Sequence, residues 1–325
     1  ALLGLPFIDR RKLPFAGALL LVAFVLIQPV SKSLTTIWSP YQKLDVYASP
    51  EKNGFIVTVN NTGYMRLYDL SEQFISKNLP KLNEPRRFNQ YEMPYLLKRD
   101  AETVLIVGSG GGNDVAGALR QNVKHVDAVE IDPGIFQIGL AMHPEDPYKD
   151  PRVDVHIDDA RSYFKKAEGR YDVVSFGLLD SHTLSSSYNN LRLDHYVYTL
   201  ESFRDAKKLL SDDGILTVVF EVHREWIGPR IHRMIRDVFG QDPLMIDIKF
   251  QPGLGWGGVM FVAGPGLPKV LENIAADPAL AAYLSGNRTG FDAADVLVPT
   301  DDWPYLYLKQ NSVPMTCSMI LGSLL

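Results

Sequence analysis

The 325-residue chain has little of what builds disulfide frameworks, cysteine metal centres or nucleic-acid surfaces. Its single cysteine, Cys317, excludes a disulfide framework within one chain and any cysteine metal cluster. Acidic residues (38) outnumber basic ones (33), and the net charge of −5 argues against a general nucleic-acid partner. The seven histidines show neither HxxxH nor HExxH spacing, so we predict no structural or catalytic metal.

Two apolar stretches, one near each end of the printed sequence, contain no charged residue. The first runs from Leu13 to Val30, and at about 1.5 Å per residue it nearly spans a hydrocarbon core of about 30 Å. The second comprises residues 313–325. We therefore predict a membrane segment within residues 1–30 and the start of a second one in residues 311–325. A buried core helix or a signal-peptide segment is the alternative for the first stretch.

Residues 31–100 have the pattern of a small β-rich unit. Alternating and β-branched residues predict strands over Lys43–Ala48, Phe55–Val59 and Tyr64–Tyr68. The run Asn60-Asn61-Thr62-Gly63 supplies a turn between the last two strands. We predict that this unit precedes the main domain.

From Thr103 onward, strand and helix patterns alternate, which predicts a mainly parallel, doubly wound sheet. The last two strands are joined only by Gln251–Gly257, which is too short for a crossover helix, so they are expected to be antiparallel neighbours. Such an order is typical of class I methyltransferase-like domains. We therefore predict an α/β fold with a seven-stranded sheet in a nucleoside-binding domain over residues 101–310. The predicted strands are 103–107, 125–131, 152–157, 171–177, 214–220, 243–249 and 257–263, and the helices are 113–122, 133–141, 160–167, 197–210 and 226–239.

A glycine run follows the first of these strands. Val104–Val107 continues into Gly108-Ser109-Gly110-Gly111-Gly112, and a helical pattern begins at Asn113. Glycines let the backbone turn sharply and let a ligand approach closely, and a helix N-terminus offers unpaired N–H groups. Glu130 ends the second strand about 20 residues later, where nucleoside-binding folds hold ribose hydroxyls. This combination predicts a nucleotide or nucleoside site.

Carboxylates at the strand ends complete the predicted pocket. Glu130 can accept two hydrogen bonds from a ribose diol. Asp159 can accept a hydrogen bond from an adenine amino group or cap the next helix, and Asp158 competes for the adenine role. Asp132 is expected to cap the helix that Pro133 opens. The predicted nucleoside-binding residues are Gly108, Gly110, Gly112, Glu130, Asp158, Asp159 and Ala160.

Seven pieces of the sequence occur in a characteristic order: WSPYQK (38–43), the glycine run, VEIDP (129–133), DAR (159–161), YDVV (171–174), YTLESF (198–203) and DDWPYL (301–306). Together they resemble the spermidine synthase family, and most of all its membrane-linked bacterial branch. The resemblance covers residues 38–310 and implies a co-substrate of the S-adenosylmethionine type, either intact or decarboxylated. It also implies a small-molecule acceptor such as a polyamine, and a homodimer.

Glycine stands at two positions where the resemblance implies an acid. Gly111 stands where the family holds the donor's amino group, and Gly177 stands in the region that deprotonates the attacking amine. A simple amine titrates near 10, so a nearby carboxylate base is useful for the attack. Asp180 matches the second acid of the family loop and is the predicted catalytic residue. The secondary candidates for the base are Asp114, His182, Asp194 and His195, and the predicted substrate-binding residues are Asp114, Tyr198 and Glu201.

These residues are compatible with three functions. The first is aminopropyl transfer from decarboxylated S-adenosylmethionine to an amine, which makes a polyamine. The second is methyl transfer from intact S-adenosylmethionine, because a glycine at 111 removes a charge that would repel the donor's carboxylate. The third is a membrane-tethered nucleoside-binding domain without turnover. Because the nucleoside is a cytoplasmic metabolite, we expect a membrane-associated protein whose catalytic domain faces the cytoplasm.

Overall fold

The computed structural model describes residues 13–27, 33–78, 88–179, 195–312, 318–319 and 322. Within this part, residues Thr35–Leu325 form one compact unit and the residues before Thr35 form another. Residues 180–194 lie outside the described residues, as does most of the apolar stretch 313–325. The predicted division near residue 100 stays a prediction.

The N-terminal apolar stretch forms helix α1, Leu13–Ile27. Its 15 residues extend about 22 Å, which is short of a hydrocarbon core of about 30 Å. No helix in the described part of the chain is long and apolar enough to cross a membrane. This finding overturns the predicted membrane-associated localisation, whereas the membrane segments predicted within residues 1–30 and 311–325 stay predictions.

A four-stranded antiparallel sheet follows, in the spatial order β1-β2-β3-β4. Asn60 and Asn61 adopt left-handed conformations (φ 49° and 67°) between β3 and β4, which suits the tight two-residue turn that asparagines favour. The predicted strands are confirmed, and β1 is an addition that its four residues were too few to signal. The strands are β1 Thr35–Trp38, β2 Lys43–Ala48, β3 Gly54–Val59 and β4 Thr62–Tyr68.

The main sheet has seven strands in the order β10-β11-β9-β8-β5-β6-β7. Strands β5 to β9 are parallel, and β11 runs antiparallel to both of its neighbours. The predicted class I methyltransferase-like α/β fold is confirmed. The strands are β5 Thr103–Val107, β6 His125–Glu130, β7 Val153–Ile157, β8 Tyr171–Phe176, β9 Leu210–Phe220, β10 Leu244–Ile248 and β11 Gly258–Ala263.

Helices cover both faces of this sheet, because side chains on a buried strand alternate between two apolar cores. Leu105 and Val107 of β5 face one core, and Val104 and Ile106 face the other. The helices are α2 Glu72–Asn78, α3 Met93–Leu97, α4 Asn113–Arg120, α5 Pro133–Met142, α6 Ala160–Lys166, α7 Leu200–Lys208, α8 Ile227–Phe239, α9 Leu267–Ala275 and α10 Pro278–Asn287.

The helix predicted over 197–210 is shorter than expected. Residues His195–Tyr198 form a turn of 3-10 helix, and α7 begins only after Thr199, whose side chain accepts a hydrogen bond from the Ser202 amide. A threonine cap of this kind ends one element and begins the next. Helices α9 and α10 were not predicted, and Asp277 caps the second of them.

The segment after α10 is held against α8 by Arg230, a fully buried arginine. Its guanidinium donates hydrogen bonds to the carbonyls of Leu306 (2.7 Å) and Lys309 (2.8 Å), and it lies 5.2 Å from the ring centre of Trp303. Burial lowers the pKa of Arg230 to about 10, so the group stays charged at neutral pH. The rigid fork of donors therefore fixes the C-terminal part of the domain.

We expect Arg230→Lys to lower the free energy of unfolding by about 2 to 3 kcal/mol, because an ammonium cannot serve carbonyls spread over several residues. Arg236→Lys on the same helix is the matched control, since Arg236 is partly exposed and lies 3.9 Å from Asp242, and it should cost below about 0.5 kcal/mol. Urea titration of both variants measures the difference. Equal losses would contradict the role given to Arg230.

Candidate functional site

Two adjoining pockets open at the carboxyl ends of the central parallel strands. This is the place where the strand order reverses around β5, and ligands of open α/β sheets bind there. The pockets share Tyr64, Met65, Gly108, Gly110 and Leu178. The first pocket is further lined by Gln42, Val129, Glu130, Ile131, Asp132, Ile135, Asp158, Asp159, Ala160, Leu179 and Val197, and the second by Arg66, Gln90, Tyr91, Ser109, Gly111, Asn113, Asp114 and Trp256.

The glycine run forms a tight loop between β5 and α4. Gly108, Gly110 and Gly112 all have positive φ values (68°, 57° and 107°), which other residues rarely adopt. A Cβ at Gly108 would lie 1.5 Å from Leu179 Cδ2. The Tyr148 hydroxyl lies 2.7 Å from the carbonyl of Gly110 and holds the loop from the other side. The loop is therefore shaped before any ligand arrives.

Glu130 lies at the centre of the first pocket and is 6% exposed. Its two carboxylate oxygens accept hydrogen bonds from the amides of Gly110 and Asp132, each at 2.8 Å. Burial raises the pKa of Glu130 to about 7, although these backbone donors favour the charged form. The carboxylate thus holds the glycine loop and presents itself to the pocket.

The acids after β7 also line the first pocket. Asp159 caps α6, because its Oδ1 accepts a hydrogen bond from the Ser162 amide at 3.0 Å. Asp158 accepts one from Lys166 Nζ at 2.9 Å, and this hydrogen bond lowers the pKa of Asp158. Since Lys166 already engages Asp158, Asp159 is the better candidate for the adenine contact. Ala160 lies beside them in the pocket wall.

The small sheet is tied to this pocket through Asp132. Asp132 Oδ1 caps α5 through the Gly134 amide, as expected from the sequence. Its Oδ2 accepts hydrogen bonds from Ser39 Oγ (2.8 Å) and Gln42 Nε2 (3.1 Å), which belong to the WSPYQK turn. This turn therefore positions Gln42 in the wall of the pocket, a placement that the sequence did not signal.

Gly111 is a packing glycine in this structure. A Cβ at this position would lie 2.0 Å from Leu67 Cδ2 and 3.4 Å from Met65 Sδ. Leu67 is 1% exposed and belongs to the core between the small sheet and α5. The space that an acid at 111 would need is thus filled by a leucine of β4.

Of the described residues that line the second pocket, one is an acid, Asp114, in the first turn of α4. Tyr91 and Trp256 add aromatic walls, and Gln90 accepts a hydrogen bond from the Gly257 amide at 2.6 Å. Arg66 also lines this pocket and lies 5.7 Å from the ring centre of Trp256. The sequence singled out Asp114 but gave no signal for Gln90 or Trp256.

Tyr198 and Glu201 are not among the described residues that line the two pockets, and their contact with substrate stays a prediction. Tyr198 is fully buried and packs edge-on against Phe220 at 5.2 Å. Glu201 accepts a hydrogen bond from the Asp301 amide, and Asp301 pairs with Arg161 at 2.8 and 3.0 Å. Three of the sequence motifs therefore meet in a network that holds the segment around residue 301 to α6 and α7.

Asp180, the predicted catalytic residue, and the secondary candidates His182 and Asp194 lie outside the described residues, and their roles stay predictions. His195 is buried with its ring 5.3 Å from that of Tyr305, and it lines neither pocket.

Metal-capable groups come together on β6 and β7, away from the pockets. His125, Asp127 and Asp154 offer ligand atoms within 4.8 Å of one another. Asp127 already binds His156 Nε2 at 2.6 Å and the Tyr171 hydroxyl at 2.8 Å. The cluster is a hydrogen-bonded patch of the sheet surface, and the expected absence of a metal stays a prediction.

Comparison with known proteins adds a family likeness. Residues 91–247 match the family model of the spermine/spermidine synthase domain. A polyamine aminopropyltransferase of Korarchaeum cryptofilum is 35% identical over 156 residues, which are 45% of this chain and 44% of that protein. The chain spans 44 to 61% of the length of the first curated relatives that it matches.

Solved structures share the fold of this chain. The superposition on the spermidine synthase from Thermotoga maritima includes 90% of this chain and 88% of the Thermotoga protein. Its TM-score is 0.56, and the sequences are 17% identical. The superposition on a spermidine synthase in complex with the transition-state analogue AdoDATO includes 90% of this chain and 87% of that synthase. Its TM-score is 0.54, and the sequences are 16% identical. At such identities the likeness concerns the fold alone.

We expect Gly111→Ala to lower the free energy of unfolding by about 1 to 3 kcal/mol, because the added methyl group overlaps Leu67. Combining it with Leu67→Ala should cost less than the sum of the two single changes, by about 1 kcal/mol or more. The control is Gly63→Ala, since a Cβ at Gly63 meets no atom within 4 Å. Additive losses in chemical denaturation would show that the two residues do not compete for space.

Proposed function

We propose that this protein transfers an aminopropyl group from decarboxylated S-adenosylmethionine to a small amine acceptor of the polyamine type. The observation that carries this proposal is the pair of adjoining pockets at the carboxyl edge of the sheet, which share the wall made by Gly108, Gly110 and Leu178. A group-transfer enzyme needs two reactants held side by side in fixed orientation. The shared wall is where the reacting atoms would meet.

The first pocket suits the nucleoside part of the donor. Glu130 can accept hydrogen bonds from the ribose hydroxyls through lone pairs that the loop amides leave available. Asp159 can accept a hydrogen bond from the adenine amino group while it caps α6. Ile131, Ile135 and Leu179 supply apolar surface for the base. These roles follow from chemistry and placement and form part of the proposal.

The second pocket suits a cationic amine. Asp114 supplies a negative charge, and Tyr91 and Trp256 supply aromatic surfaces that attract cations. The curated relatives that match this chain are named polyamine aminopropyltransferases, which supports the same assignment. Methyl transfer and a binding-only role have no comparable support.

The reaction is tested with the purified full chain, decarboxylated S-adenosylmethionine and 1,4-diaminobutane. We expect methylthioadenosine and the aminopropylated amine to form in equal amounts, as measured by mass spectrometry. Formation of S-adenosylhomocysteine from the intact donor, without any aminopropyl product, would overturn the proposal in favour of methyl transfer.

We expect Glu130→Ala to weaken the binding of methylthioadenosine by about 2 kcal/mol, or roughly thirtyfold, because the ribose loses a charged acceptor. Glu102→Ala is the control, since Glu102 pairs with Lys124 near the amino end of β5. Calorimetry measures both variants. Unchanged binding in Glu130→Ala would place the nucleoside elsewhere.

A further inference from the structure

Asp114 is a half-buried acid that lies in the first turn of α4 and lines the second pocket. Among the described residues, no lysine, arginine or histidine forms an ion pair with it, and Asn113 beside it makes the hydrogen bonds that join α4 to Arg66 and Tyr68. A carboxylate that is partly withdrawn from water and has no paired cation among these residues is a candidate functional group.

The carboxylate of Asp114 faces Gly177, which follows β8. A Cβ placed on Gly177 would lie 3.1 Å from Asp114 Oδ2 and 3.5 Å from its Cγ. Gly177 is the position where the resemblance to spermidine synthases implies the acid that deprotonates the acceptor amine. The acid at 114 therefore reaches, from a helix, the space that an acid at 177 would enter from the strand. Both side chains cannot occupy it without moving.

We propose that Asp114 is the carboxylate that binds the acceptor amine and takes its proton, in place of the acid missing at Gly177. This inference rests on the proposed aminopropyl transfer. The ammonium of the acceptor gives one proton to Asp114, and the freed nitrogen lone pair attacks the donor carbon that is bonded to the sulfonium. The carbon–sulfur bond breaks, and its electron pair stays on sulfur as a neutral thioether.

The surroundings of Asp114 suit this step. Burial raises the pKa of Asp114 to about 7, which lies near the pH at which a general base works best. Tyr91, Tyr95 and Tyr148 approach it from neighbouring elements, and burial keeps their pKa values above the ordinary value. Among the described residues, Arg66 is the cation that lines the same pocket. Asp114 is thus an acid beside Gly177 that titrates around neutral pH.

The test compares Asp114→Asn, Asp114→Ala and the double variant Asp114→Ala with Gly177→Asp, each as the full chain. At saturating donor, we expect wild-type kcat/KM for 1,4-diaminobutane to rise with pH through about 7 and then level off. Asp114→Asn should lose about a hundredfold or more in kcat and lose this inflection, while methylthioadenosine binding stays within about threefold. Asp295→Asn, which changes an exposed acid, should behave as wild type.

The double variant separates catalysis from folding. It should recover at least about tenfold in kcat over Asp114→Ala, because the acid introduced at position 177 enters the space that the Asp114 carboxylate has left. Turnover of Asp114→Asn within about threefold of wild type, or a double variant no better than Asp114→Ala, would overturn the proposal. Wild type that binds methylthioadenosine but gives no product would instead overturn the proposed function. In that case, the binding of 1,4-diaminobutane to wild type and to Asp114→Asn is compared. Equal binding by the two proteins would overturn the amine contact as well.

Discussion

The carboxylate of Glu130 connects the parts of this structure on which the pockets depend. It accepts one hydrogen bond from the glycine loop after β5 and another from the Asp132 amide at the start of α5. Asp132 in turn binds the turn of the small sheet through Ser39 and Gln42. One buried acid therefore sets the distance between β5 and β6 at their carboxyl ends and, through its neighbour, the position of the small sheet. The two backbone amides offset the cost of burying this charge. A substitution that changes only a side chain leaves these donors in place.

The small sheet is part of the site because of close packing around the glycine loop. Leu67 of β4 fills the space beside Gly111, and a Cβ on Gly139 of α5 would lie 2.5 Å from the Gly111 carbonyl. Tyr148 closes the loop from a third side. Such packing leaves little freedom for the loop, so the pocket walls Met65 and Tyr64 are placed by β4 and not by the ligand.

The fold was predictable because its signals are local. Apolar runs such as Thr103–Val107 and the short link before β11 determine strand type and direction. Glu130 could be predicted to line a pocket because the carboxyl ends of parallel strands meet at one edge of the sheet. The contacts of Tyr198 and Glu201 could not be predicted in this way, because they depend on the packing of distant segments against Arg161 and Asp301.

The glycines at 111 and 177 have different physical meanings, although both stand where an acid was expected. At Gly111 the space is occupied by an apolar side chain, so the charge is removed and nothing polar replaces it. At Gly177 the space is occupied by a carboxylate from another element, so the charge is kept while its chain position changes. The electrostatics of a pocket depend on where the charged atoms lie and not on which strand or helix carries them. A sequence compared position by position records two lost acids, whereas the structure retains one of the two charges, on Asp114.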